Sequence, residues 1–168
     1  MIRVNNIANT VKFQTLDSKP VPGFKHWYTD LSMIGRHFLI YSEDKNKIKR
    51  QYTICNSMIP EMYQQLIKLC ADAQAGVTTS FNTDLLDSTH KDSFFATFKD
   101  YKTETGVSRR MSNQQPDTQP IWLAKGPMGM GLQIDKNGHN IAFTGGTGIL
   151  VFLDIVTMLL LSACRTVK

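Results

Sequence analysis

Asn140-Ile-Ala-Phe-Thr144, Gly145-Gly-Thr-Gly148 and Ile149-Leu-Val-Phe-Leu-Asp-Ile-Val-Thr-Met-Leu-Leu-Leu161 follow one another without interruption near the end of a 168-residue chain. The first five residues predict a compact apolar strand, the next four a glycine turn and the last thirteen an apolar helix. A strand, a glycine turn and a helix in this order open a nucleotide-binding α/β unit. Glycine lets the backbone approach a ligand closely, and the N–H groups at a helix start favour anionic oxygens. The turn lacks the lysine of a P-loop and the spacing of Gly-x-Gly-x-x-Gly. By itself it also reads as a tight strand-to-helix connection.

Upstream the period changes. Val11-Lys-Phe-Gln-Thr-Leu16 alternates and predicts a half-buried strand, and Pro20, Pro22 and Gly23 mark a turn. His37-Phe-Leu-Ile-Tyr41 and residues 48–55 predict two strands joined by a polar turn at residues 42–46, an antiparallel pairing. Asn56 or Ser57 can cap a helix beginning near Met58, with Pro60 in its first turn and Ile59, Met62, Leu66, Leu69 and Cys70 at helical spacing. Gly76 ends it, and residues 75–92 read as a polar surface insertion. Ser93-Phe-Phe-Ala-Thr-Phe-Lys-Asp-Tyr101 predicts an aromatic strand. A polar loop at 112–120 precedes a short strand, Ile121-Trp-Leu-Ala124.

Composition narrows the function classes. Lys+Arg number 19 and Asp+Glu 14, a net charge of +5, with 42% hydrophobic and 20% charged residues. That is an ordinary globular composition with room for one domain and part of another, which excludes wholesale disorder and collagen. Cys55, Cys70 and Cys164 are scattered, as are the four histidines. The expectation is no metal site, no disulfide framework and a reducing intracellular compartment, cytoplasmic or mitochondrial. The apolar stretch 148–164 is short for a span and carries Asp154, so a buried core helix is expected rather than a transmembrane one. Lys45, Lys47 and Lys49 fall on one strand face, Arg50 on the other, and Glu43 and Asp44 dilute them. A nucleic-acid partner is therefore not expected.

Two further motifs carry chemistry. In Arg50-Gln-Tyr-Thr53, strand alternation places Arg50 and Tyr52 on one face and Gln51 and Thr53 on the other. The guanidinium fork suits a phosphate and the phenol offers a flat surface for a ring. Gly106-Val-Ser108, followed by Arg109 and Arg110, supplies backbone N–H groups and a hydroxyl near two cations. Each motif alone also fits a solvated strand or a basic turn.

Taken in order, Gly35-Arg-His37, Arg50-Gln-Tyr-Thr53, Gly106-Val-Ser108, Gly126-Pro-Met-Gly129 and Gly145-Gly-Thr-Gly148 resemble the ferredoxin–NADP reductase-like flavoproteins, cytochrome b5 reductase branch. The resemblance runs from about residue 33 to the C-terminus, with a gap between 57 and 92. It implies a mainly β fold: a six-stranded antiparallel Greek-key FAD-binding barrel with an inserted helix, followed by the first β-turn-α of an NAD(P)-binding domain. The expected divisions are an N-terminal extension with the first strand at 1–32, the barrel at 33–138 with its insertion at 57–92, and the incomplete nucleotide domain at 139–168. Carried over by position, Arg50 pairs with the FAD pyrophosphate, Tyr52 packs on the isoalloxazine and Thr53, the residue assigned to catalysis, hydrogen-bonds near the reactive edge. Gly106, Val107 and Ser108 contact the pyrophosphate, and Gly145, Gly146, Thr147 and Gly148 meet the pyridine nucleotide.

The implied activity is that of an NAD(P)H-dependent flavin reductase, with electrons passing through FAD to a haem or iron–sulfur acceptor. Gln51 and Ile54 stand where relatives carry proline, Asn56 where serine is common, Thr105 where glycine is frequent, and Val151 where proline is usual. The family continues well past the position of Lys168, so the expectation is a fragment of a longer reductase or a truncated paralogue. The competing expectation is a non-catalytic accessory subunit of a larger complex that keeps the barrel. Burying one large apolar side chain contributes about 1.5–3 kcal/mol. A helix apolar on nearly every side thus calls for a covering surface: a redox acceptor, a host complex or a lipid surface.

Overall fold

Ser93-Phe-Phe-Ala-Thr-Phe-Lys99, strand β5, is buried along all but its last residue, because both of its faces are covered. Phe94, Ala96 and Phe98 point into one core cluster and Phe95 into another. β5 pairs along its whole length with β2 (Ala8–Gln14), from Ala8 opposite Lys99 to Gln14 opposite Ser93. The two-residue β1 (Ile2–Arg3) completes a three-stranded antiparallel sheet. A second antiparallel sheet has β3 (His37–Ser42) at its centre, flanked by β4 (Lys49–Thr53) and β6 (Trp122–Met128). This is a computed structural model, described over residues 2–3, 8–25, 30–42, 48–58, 60–78, 92–104, 106–114, 121–135 and 137–166.

The two sheets meet at one place. Ile54 bridges Ala96 in antiparallel sense, and Cys55 N–H donates to the Phe95 carbonyl at 2.8 Å. Through that joint the strands run β1-β2-β5-β4-β3-β6. Within the second sheet β6 returns beside β3, and the two sheets share no ladder. The expected closed six-stranded barrel is not formed. Among the described residues β1 and β6 do not pair, and β4 touches β5 at a single bridge instead of a ladder. The observed class is mixed α/β with two antiparallel sheets. The mainly β expectation thus holds for the sheets and not for their closure.

Between the sheets lies the first core cluster, centred on Phe38, stacked on Phe94 at 3.9 Å, with Val11, Ile40, Tyr52, Ile54, Phe98, Val107 and Met111 around it. β6 continues through Gly126-Pro127, which look like strand breakers in sequence. A register shift between His37 and Leu39 accommodates them. Gly126 has φ +153°, and a Cβ there would lie 2.8 Å from a Phe38 ring carbon, so only glycine fits.

Outside β5, helix α1 (Pro60–Gln74) begins later than the start expected near Met58, after a 3-10 turn at Asn56–Met58 whose Asn56 side chain accepts from Phe95 N–H, and it buries Met62, Leu66 and Leu69. These join Met33, Ile34, Phe95 and Leu161 in the second cluster. Leu161 belongs to helix α3 (Leu153–Thr166). Helix α2 (Val107–Ser112) follows β5 and places Val107 and Met111 in the first cluster. The polar turn at 43–47, the insertion at 79–91 and the loop at 115–120 lie outside the described residues.

The C-terminal reading needs correction. Residues 140–144 are not a strand, and Ile141 and Phe143 are 78% and 92% exposed. Their local propensity is strand-like, but a strand needs a neighbour to take its N–H and C=O groups. Among the described residues none lies beside them. Gly146–Phe152 then form 3-10 helix, and the α-helix begins at Leu153 instead of at the glycine turn. The expected core helix is covered on one side only. Asp154, Thr157 and Leu161 are buried while Ile149, Val156 and Leu159 are exposed. By length and composition alone Gly146–Ala163 is long and apolar enough to cross a membrane, and 17% of it is buried within the protein.

Candidate functional site

Because β4 and β5 join only at Ile54 and Ala96, they leave a cleft between them on the Arg50 side of the bridge. A cavity of about 500 Å³ occupies it. β4 contributes Arg50, Gln51, Tyr52 and Thr53; β5 and the turn after it contribute Thr97, Phe98, Lys99, Tyr101 and Thr103. Gly106, Val107 and Ser108 come from the start of α2, and Thr147 and Leu150 from the 3-10 segment. Its volume falls in the range of small-molecule sites.

The β3–β4 register puts Tyr52 opposite Phe38 and Arg50 opposite Ile40, and Phe38 and Ile40 both face the core. Arg50 and Tyr52 therefore share the inward face, as alternation required, with Gln51 and Thr53 on the other. Tyr52 is buried edge-on against Phe98 at 5.8 Å, and burial, opposed in part by the Arg50 charge, pushes its phenol up to about 12. It stays a neutral donor. Arg50 is exposed and donates Nη1 to the Lys49 carbonyl at 2.8 Å, one of its five donors. Lys99 places its ammonium over the Tyr101 ring, 5.3 Å from the centroid.

Neither cation has a carboxylate partner among the described residues, and no carboxylate lines the cavity. Two cations without counter-charge, five Thr or Ser hydroxyls and two tyrosines favour an anionic ligand that also carries a ring.

Of the residues named from sequence, Arg50, Tyr52, Thr53, Gly106, Val107, Ser108 and Thr147 come together on this one cavity. Gly145, Gly146 and Gly148 are exposed and do not line it. The glycines expected to cradle a pyridine nucleotide have nothing within 4 Å of the position a Cβ would take. The strand that would have held them against a sheet is missing. Sequence reasoning overlooked Thr97, Lys99, Tyr101 and Thr103. Their alternation along and just past β5 carries no signal of a site until β4 lies across the cleft.

A second buried polar centre holds α3 in place. Asp154 accepts hydrogen bonds from Ser57 N–H at 2.8 Å and Asn56 N–H at 3.3 Å, while Asn56 Oδ1 accepts from Phe95 N–H at 3.0 Å. Burial pushes the Asp154 carboxyl up to about 6, against the opposing effect of those bonds. Among the described residues no three His, Cys, Asp or Glu side chains converge as a metal site. No protein-family model, no curated protein and no solved structure matches the chain.

Proposed function

We propose that the cavity between β4 and β5 binds FAD and that the chain is an electron-transfer flavoprotein of the ferredoxin–NADP reductase-like kind. The observation that supports this reading is the convergence of Arg50, Tyr52, Thr53, Gly106, Val107 and Ser108, far apart in sequence, on one cavity with two uncompensated cations. Those residues suit the group. Arg50 and Lys99 answer the pyrophosphate charge, Ser108 and the Gly106-Val107 backbone offer hydrogen bonds, and Tyr52 and Tyr101 offer ring surface.

FAD, when bound, accepts a hydride from NAD(P)H and passes single electrons to a haem or iron–sulfur acceptor. The chain's own work is to hold the dinucleotide by its phosphates and orient its ring against Tyr52 and Thr53. Titrating the purified chain with FAD, FMN and riboflavin, followed by flavin fluorescence, tests the reading. FAD binds, and Arg50→Ala weakens it about tenfold or more, as loss of a charge-assisted hydrogen bond does. A protein that is colourless and takes up none of the three flavins refutes it.

One observation favours the accessory-subunit reading instead: the apolar side chains of Ile141, Phe143, Val156 and Leu159 stand in solvent. Isolation of the native complex with no flavin spectrum would select that reading.

A further inference from the structure

We propose that Asp100 is the positioning residue of the cavity, fixing the wall formed by Gly106, Val107 and Ser108 without touching the ligand. Asp100 sits one residue past the end of β5, is buried, and two of its ties bear on the wall. Its Oδ1 accepts Lys102 N–H at 2.8 Å, and its Oδ2 accepts Arg109 Nη1 at 3.1 Å. The first tie holds the turn: Lys102 has φ +56°, a left-handed conformation that a non-glycine residue keeps only when its surroundings enforce it. The second holds α2, whose six residues are too few to be helical without tertiary support.

A third tie closes the frame. Asn9 Nδ2, from β2, donates to Ser112 Oγ at 3.2 Å at the far end of α2. With Val107 and Met111 buried on the opposite side, the helix is gripped by core on one face and by Asp100 and Asn9 on the other. Gly106, Val107 and Ser108 lie between the two ties of Asp100, at residues 102 and 109. Their position against Arg50 and Tyr52 is therefore set from this carboxylate. Burial alone would raise its pKa. The Lys102 N–H, the Arg109 guanidinium and the Ser112 hydroxyl outweigh that and hold it below the usual carboxylate range, so the tie is charged at neutral pH.

The consequence for binding rests on the flavin reading, whereas the pinning of α2 does not, and the experiment separates them. Wild type, Asp100→Ala, Asp100→Asn and Arg109→Ala are compared with Met62→Ala, which opens the second core cluster away from the cavity. Amide hydrogen exchange over residues 101–112 and titrations with FAD and inorganic pyrophosphate are both read. In Asp100→Ala, protection falls at least tenfold across 101–112 and little elsewhere, and FAD and pyrophosphate bind at least tenfold more weakly. Asp100→Asn, which can still accept from Lys102 N–H, recovers part of both effects. Met62→Ala lowers the melting temperature yet leaves affinity within twofold.

Equal weakening in Asp100→Ala and Met62→Ala overturns the positioning role, as does unchanged protection over 101–112. If Asp100→Ala fails to fold, Asp100→Asn and Arg109→Ala carry the same comparison. If wild type binds neither probe, the flavin reading falls, and the exchange data alone decide whether Asp100 pins the wall.

Discussion

Replacing Asp154 by asparagine should make the protein more stable at neutral pH and less stable at pH 5. Asp154 is buried in the first turn of α3, with its oxygens on the Ser57 and Asn56 N–H groups, and burial raises its pKa from 3.8 to about 6. Because the folded pKa exceeds the unfolded one, the native state binds the extra proton between those values. The contribution is fully present below pH 3.8 and is lost as pH rises through 6. A shift of this size corresponds to about 3 kcal/mol over the whole range, of which roughly 1–1.5 kcal/mol falls between pH 5 and 7.5.

Asparagine removes the charge and can keep the 2.8 Å bond from Ser57 through its oxygen. Its amide nitrogen cannot accept from Asn56, a loss of about 1–2 kcal/mol. Relative to wild type the variant gains about 0.5–0.7 kcal/mol at pH 7.5, where wild type buries a carboxylate, and loses a similar amount at pH 5, which together make up the roughly 1–1.5 kcal/mol of the interval. In a chain of this size that is about 1–3 °C in Tm in each direction. Thermal or urea unfolding of both proteins at pH 5, 6 and 7.5 and fixed ionic strength provides the measurement. The difference between them cancels every other titrating group. Parallel curves, with no crossing of relative stability between pH 5 and 7.5, would refute the account of Asp154 as a desolvated carboxylate.

Phe38→Ala, at the centre of the stack with Phe94, should cost about 3–5 kcal/mol and lower Tm by more than about 6 °C. A loss under about 1 kcal/mol would show that the core between the sheets is not packed as described. Lys102→Gly should be more stable than Lys102→Ala by about 1 kcal/mol, because only glycine relieves the left-handed φ. Equal melting temperatures for the two variants would place the turn in another conformation.

What could be read from the sequence was what depends on neighbours along the chain. The alternation at 37–41 and 48–55 gave β3 and β4 and put Arg50 and Tyr52 on a common face. Aromatic density gave β5, and Pro60 with periodic Met62, Leu66 and Leu69 gave α1. What depends on pairing at a distance was not legible. Asn140-Ile-Ala-Phe-Thr144 has the composition of a strand, but nothing in it says whether a partner strand exists. The extension of β6 through Gly126-Pro127 relies on a register shift against β3 and on the bare Cα opposite Phe38. Asp154 read as a blemish in an apolar helix, and only the fold brings Ser57 and Asn56, nearly a hundred residues earlier, to meet it. At the cavity, the β4 side was visible as a motif while Lys99 and Tyr101 were hidden. Their importance comes from β4 lying across the cleft and not from their own spacing.

The cavity and the gap between the two sheets have one cause. After Thr53 the chain leaves the sheet for α1, and Asn56 turns its side chain to take the Phe95 N–H that a longer β4 would have taken with its backbone. The ladder between β4 and β5 thus stops after one bridge, and the strands part toward Arg50 and Lys99. Continued in the register of Ile54 and Ala96, a full ladder would have set Lys99 opposite Gln51 and Arg50 opposite Asp100, closing the space between the strands. In the cleft Arg50 and Lys99 stand around a space that an anion can fill. Arg109 shows the contrast: it lies at the same end of the molecule, outside the cavity, and is neutralised by Asp100. Arg109 thus spends its charge on the turn and helix beside the cavity, whereas Arg50 and Lys99 keep theirs at the cleft, where an anion can meet it.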